Sequence, residues 1–337
     1  MIIDAFCHIF PYRFIRDYVK TFIPRLLRFA EIHVPAITAY FVDPDLRVQY
    51  MDKYGITTEI LSISLPGHGL DKIPEKDLLK LTKLANDAMA ELCEKYPSRL
   101  ISAAWLPNLE GDFVDELDRC LRDMGMKGCM IYSNIGGRPL DSPSFMEFYN
   151  KMSVYDLPIL LHPISWTYYP WIHEYRIGES IGWPFDTSVA MSRLVFGGVL
   201  DKFPRLKIIT HHLGAMIPYF SERIRLFYDS VFSEPEVYGN TSDYYPIQLK
   251  KHPIEYFKSF YADTVIGGNV SALRCAIDFF GIDHIVFATD YPFGPLKGEL
   301  FTKCALNIVE ESGLTSENKE KTLYKNSQQI FKLKNLA

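Results

Sequence analysis

Short apolar runs alternate with longer helical patterns from one end of this chain to the other, the arrangement of parallel β/α units. Candidate strands cover residues 2–8, 59–64, 100–106, 128–133, 158–163, 206–212, 260–264 and 284–290. Several are nearly continuous in apolar residues, as strands buried on both faces require. Eight such units predict an α/β fold, a closed (β/α)8 TIM barrel with loop insertions at its C-terminal face. A chain of 337 residues with 48% hydrophobic content can bury a core of that size as one domain, 1–337. The helices carry matching punctuation. Asp43-Pro44 supplies a cap and a first-turn proline for a helix that stops at Gly55, and Asp186 or Thr187 is placed to cap a helix running through Phe203 to Pro204. Residues 11–42 and 230–258 break the repeat and read as insertions. Both are candidates for a substrate lid or a subunit contact, since loops after strands line the active mouth of a barrel.

Charge and cysteine usage remove several functional classes. The net charge is −5, and Lys and Arg are scattered, so no basic footprint for nucleic acid is present. Cys7, Cys93, Cys120, Cys129, Cys275 and Cys304 lie far apart, with no C-x-x-C pair and no signal peptide ahead of them; reduced thiols in a cytoplasm are expected. The longest apolar stretches fall short of the roughly 20 residues a bilayer span needs, so no membrane partner is expected.

Chemistry concentrates at strand ends. Alternate side chains of a barrel strand point inward, and those at the C-terminal ends converge on one pocket. Alternation puts Asp4, Phe6 and His8 on one face of the first strand, leaving Cys7 toward the helices; it pairs Leu160 with His162 on the fifth and Val286 and Ala288 with Asp290 on the eighth. His8, His162 and Asp290 then offer two imidazoles and a carboxylate, a donor set for a divalent metal, zinc foremost with manganese or magnesium as alternatives, that keeps a position for water or substrate. No organic cofactor is expected. The sixth strand ends in the tandem His211-His212, between which periodicity does not choose. Asp263, after the seventh, reads as structural. Trp166 belongs to an aromatic stretch after the fifth strand that reads equally as a cover for an aromatic substrate or as loop packing.

Seven stretches occur in a telling order: Ile3-Asp4 through Pro11, Asp43 to Ser62, Leu161 to Trp166, Phe196 to Pro204, His212 to Arg223, Phe260 to Asp263, and Thr289 to Gly294. In that order the chain resembles the amidohydrolase-related family that contains aminocarboxymuconate-semialdehyde decarboxylase and the hydroxybenzoate decarboxylases. The resemblance implies that His8 and His162 are metal ligands and that Asp290 is a ligand or a proton-transfer carboxylate. It implies that His212, six residues before Pro218, is the catalytic histidine. Arg223 matches an arginine that holds the substrate carboxylate of a neighbouring subunit, which implies a homodimer or larger homo-oligomer. Phe6 departs from the pattern: it stands where the family has a histidine or glutamate ligand, it cannot bind metal, and it is expected to line the substrate pocket instead. The segment Gly128 to Ser133 lacks the lysine that bridges two metals in binuclear relatives, which disfavours a binuclear centre.

The activity so implied is metal-dependent, non-oxidative decarboxylation of a small aromatic or unsaturated carboxylic acid, with His212 or Asp290 delivering the proton. The same residues also fit a metal-dependent hydrolase or hydratase acting on a lactone, an amide or a conjugated acid. Phe6 leaves a metal-free or non-catalytic barrel as the third reading. Residues 36–42 lack the substrate-anchoring arginine of the semialdehyde decarboxylase, so that enzyme's substrate is not expected here.

Overall fold

The computed structural model describes residues 1–15, 39–64, 70, 73–164 and 170–333. Trp166 and most of the stretch 11–42 lie outside them. The strands are β1 (Ile3–His8), β2 (Thr58–Ser62), β3 (Leu100–Ser102), β4 (Ala104–Trp105), β5 (Cys129–Tyr132), β6 (Asn134–Ile135), β7 (Arg138–Pro139), β8 (Pro158–His162), β9 (Lys207–Thr210), β10 (Tyr261–Asp263) and β11 (Ile285–Val286). β6 and β7 form a short antiparallel hairpin, and all other pairings are parallel.

β3 and β4 are one barrel strand that changes partner at Ala103. The Ala103 amide donates to Leu61 (2.9 Å) on the β2 side, and the next amide, Ala104, donates to Gly128 (2.8 Å) on the β5 side. At the other seam, Ala5 donates to Phe287 (2.8 Å), Asp290 to Phe6 (3.2 Å) and His8 to Tyr291 (2.8 Å), which joins the first strand to the last. With these bonds the order β1, β2, β3–β4, β5, β8, β9, β10, β11 closes on itself, the eight-stranded barrel expected from the alternation. A closed sheet has no unpaired edge, and the inward rows of Leu, Ile, Phe and Ala fill it.

Two local departures reposition side chains. The β1–β2 register slips by one residue between Asp4 and Cys7, a β-bulge. Simple alternation therefore fails: Phe6 and His8 face the barrel mouth, whereas Asp4 gathers with Cys7 and Glu59. The last strand pairs regularly only over Ile285–Val286, although the extended residues after it still bond to β1.

The helix Pro44–Tyr54 has the expected ends. Asp43 accepts from the amides of Asp45 (2.9 Å) and Leu46 (3.2 Å), and Gly55 closes the helix at φ 68°. The helix expected to begin at Asp186 instead starts at Trp183 and ends at Phe196, with a separate turn at Val199–Lys202. A Cβ on Gly197 would lie 2.3 Å from Asp141, so the chain breaks at the one residue type that fits there. Asp186 is buried and serves the site rather than capping its helix. The stretch 230–258 contains the short helices Pro235–Tyr238 and Pro253–Phe257.

Candidate metal centre

Four buried groups converge at the C-terminal mouth of the barrel. His8 ends β1, His162 ends β8, His211 follows β9 and Asp290 follows β11; one donor atom from each lies within 4.8 Å of all the others. Each imidazole is oriented by a partner on its other side. His8 Nδ1 lies 3.0 Å from Ser62 Oγ, leaving Nε2 toward Asp290 Oδ1 at 3.0 Å. His162 Nδ1 is 2.7 Å from the Pro163 carbonyl, and its Nε2 is 3.0 Å from Ser64 Oγ. His211 Nδ1 is hydrogen-bonded to Asp263, and its Nε2 lies 3.4 Å from Asp290 Oδ1. Asp263 is held in turn by the amides of Val265 (3.0 Å) and Leu213 (3.4 Å).

The donor set fits a divalent ion. Three imidazoles and a carboxylate are the ligand types of zinc and neighbouring first-row metals. His8 Nε2 and Asp290 Oδ1 are fully buried and close together, yet neither has a partner with hydrogen-bond geometry. Buried polar atoms are seldom left so, and a cation between them would satisfy both. The orienting contacts of His8 with Ser62 and of His162 with Pro163 are those that metal-binding histidines use to fix ring orientation, and Asp263 fixes the ring of His211 beside them.

The electrostatics separate the histidines. Burial depresses His8, which Asp290 only partly offsets, and it depresses His162 further, helped by the neighbouring His8 and His211. His211 goes the other way. Burial alone would lower it, but the Asp263 carboxylate and then Asp290 push it up to about 10. Asp290 is raised by burial and lowered more strongly by His211 and His8, so it stays ionised below the usual carboxylate range. Each group thus favours the charged form of the other.

Of the tandem histidines, it is His211 and not His212 that joins the cluster. β9 ends at Thr210, His211 continues extended at φ −76° and points into the mouth, and His212 turns to φ 59°. Its ring packs against that of His211 (centroids 4.4 Å), with Nδ1 buried and unpaired, and burial lowers it to about 3. Left-handed Leu213 and Ala215 follow, with Gly214 at φ 72° between them, where a Cβ would sit 2.5 Å from Phe280. Non-glycine residues held in that region store strain, which gathers at functional sites. Alternation does not show where a strand stops, and β9 stops two residues before the end expected at 212.

Phe6 sits among these groups and offers no donor atom. Its ring is 4.7 Å from His211, 5.5 Å from His8 and 6.0 Å from His162 by centroids. Arg223 is exposed on the helix Ile217–Ser233, its guanidinium 4.6 Å over the ring of Phe227 in a surface groove shared with Phe185, Phe220 and Tyr244. The sequence assigns Asp263 only a structural role and Asp186 only a cap, and it does not point to Ser62 or Ser64. Asp186 accepts from the Ile164 amide (2.9 Å) and from Ser133 Oγ, fixing the chain just beyond His162. Asp263 carried a readable signal, a carboxylate at a strand end; the serines and Asp186 carried none.

A closed parallel barrel with histidines and a carboxylate gathered at the strand ends defines a metal-dependent barrel enzyme of the amidohydrolase type. The chain belongs to the Amidohydrolase family, whose profile matches residues 3–333. It is 31% identical over 266 residues to the gamma-resorcylate decarboxylase of Rhizobium sp. (strain MTP-10005), covering 74% of this chain and 76% of the relative. It is 28% identical over 278 residues to the 2-amino-3-carboxymuconate-6-semialdehyde decarboxylase of Dictyostelium discoideum, covering 82% and 74%. Among solved structures, a dihydroxybenzoic acid decarboxylase from Polaromonas sp. JS666, with bound manganese and the inhibitor 2-nitroresorcinol, superposes with a TM-score of 0.79 at 26% identity over 98% of this chain and 97% of that one.

Proposed function

We propose that this site catalyses non-oxidative decarboxylation of a small aromatic carboxylic acid, with His8, His162 and Asp290 holding a divalent metal and His211 as the proton donor. The observation that carries the reading is the placement of His211, hydrogen-bonded to Asp263 on one side and facing Asp290 on the other, inside the ligand cluster. A bound divalent ion supplies a Lewis-acid anchor for the substrate carboxylate and an adjacent hydroxyl. Phe6, together with Phe293 against His8 (centroids 5.2 Å) and Phe41 against Phe293 (5.0 Å), gives the pocket apolar walls that suit an aromatic ring and exclude water. The carbon–carboxylate bond breaks, its electron pair stays on the ring carbon, and carbon dioxide leaves. His211 Nε2 then delivers its proton to that carbon while Asp263 keeps the Nδ1 proton and the ring orientation. Carbon dioxide in the headspace above the protein with 2,6-dihydroxybenzoate and related hydroxybenzoates, with and without added metal, tests the reading. Acid release at a lactone or amide with no carbon dioxide would favour hydrolysis instead.

The donor chemistry accepts zinc, and the similar solved decarboxylase carries manganese; reconstitution with each ion, scored by turnover, separates the two. A homodimer is proposed from the exposed apolar face of the helix Ile217–Ser233, where Tyr219, Leu226 and Phe227 are 78, 57 and 55% exposed. Arg223 lies on that helix, and its proposed role is to reach a partner's substrate. Residence in a reducing cytoplasm is supported by six free cysteines.

A further inference from the structure

Arg47 is a fully buried charge behind the site, and the mechanism makes no direct use of it. It sits on the helix Pro44–Tyr54, and its contacts reach two barrel strands and the turn that follows the last one. Nη2 donates to the main-chain carbonyl of His8, Nη1 donates to Glu59 Oε2 on β2 (2.7 Å) and approaches Cys7 Sγ (3.7 Å), and the guanidinium lies 4.9 Å over the ring of Tyr291. Tyr291 follows Asp290, accepts the His8 amide at 2.8 Å, and is sandwiched by Tyr50 at 3.5 Å and 8°. One side chain therefore touches the backbone of one proposed ligand and the neighbour of another.

We infer that Arg47 is a positioning residue that sets the spacing of His8 and Asp290, and through it the affinity of the metal centre. Stability alone does not explain the group. Burying a guanidinium and a carboxylate is costly, and replacing such pairs by apolar side chains of similar size is often neutral or favourable. Here Glu59 Oε1 and Arg47 Nε are left buried without partners, so the pair is not even fully satisfied. What an apolar replacement would lack is the bond to the His8 carbonyl and the cation over the ring of Tyr291. Guanidinium geometry provides both while also gripping Glu59; an ammonium has one nitrogen and cannot.

The inference rests on the metal-centre reading above, and metal binding tests it without recourse to turnover. Titration calorimetry with manganese(II) on the unchanged protein, on Arg47→Lys, and on a double variant, Arg47→Met with Glu59→Leu, is the experiment. The double variant swaps the ion pair for apolar volume and protects against an uninformative loss of folding. Both variants, folded by circular dichroism, are expected to bind manganese roughly 10- to 100-fold more weakly, the usual effect of removing a group that orients a ligand. A folded variant that binds within twofold of the unchanged protein would overturn the inference alone. Failure of both variants to fold would overturn it too, by placing the arginine's contribution in the fold as a whole. An unchanged protein that binds no manganese or zinc would instead remove the metal-centre reading, and this inference with it.

Discussion

His211 and His212 differ by one position and, in this site, by their whole environment. His211 faces Asp290 and is held by Asp263; His212 packs behind it with its Nδ1 unpaired. His211→Ala is expected to lower kcat by about 10²- to 10⁴-fold, the range for a positioned proton donor, and His212→Ala by less than about tenfold in the same steady-state assay. The reverse ranking would restore the assignment drawn from the distance to Pro218. Asp263 makes a pH prediction. It raises His211 to about 10, and a proton donor loses activity as pH rises through its own value, so the natural enzyme should stay active well above neutrality on this limb. Asp263→Asn removes the raising charge, and the alkaline limb of kcat/KM should move to lower pH; an unmoved limb would show that His211 is not the group titrating. The convergence of His8, His162 and Asp290 on one mouth was legible in the sequence, because each ends an apolar run. The choice between adjacent histidines was not, since it depends on where β9 stops hydrogen bonding, and that is set by its neighbours rather than by its own residues.

Strands and helices were read mostly from local signals, and the exceptions have local causes. The cap at Asp43 is explicit in sequence and structure. Asp43→Ala should cost about 1 kcal/mol in urea unfolding; an unchanged unfolding free energy would show that the cap contributes nothing. The bulge in β1 had no such signal. It separates Asp4 from Phe6 and His8, and it places Asp4 under Thr289, whose amide (3.2 Å) and hydroxyl both donate to it. Burial and then Glu59 hold Asp4 well above its usual range. A carboxyl raised on folding favours the native state at low pH and loses that contribution as pH climbs through its folded value. Asp4→Asn should therefore flatten the decline of stability as pH rises above the ordinary carboxylate range of about 4, measured as the thermal midpoint against pH. A decline as steep as in the unchanged protein would remove Asp4 from this role. Helix boundaries around Asp186 were misread because its side chain bonds to Ser133 and Ile164 across the barrel wall, a tertiary choice that overrides cap preference.

At the scale of the whole molecule, the closed barrel was legible from the eightfold alternation, while closure itself is a matter of three hydrogen bonds between β1 and the residues after β11. Those bonds also bring His8 beside Asp290, so fold and site share one seam. Metal bound only by the native state adds stability by mass action, about 2.7 kcal/mol at 100 times its dissociation constant. Dialysis against chelator should thus lower the thermal midpoint as well as abolish turnover, with both recovering on added manganese or zinc. Light scattering should give a dimer or larger; a monomer would end the proposed contribution of Arg223 to a neighbouring site. The central claim is that three imidazoles and a carboxylate at one barrel mouth exchange a carboxylate for a proton on an aromatic carbon. The most direct test is carbon-13 and proton NMR of the metal-loaded protein turning over 2,6-dihydroxybenzoate, or another hydroxybenzoate that it accepts, in deuterium oxide. The account predicts one carbon dioxide released per product and a single deuterium at the carbon that bore the carboxylate. A product that retains its carboxylate and has gained the elements of water would contradict it.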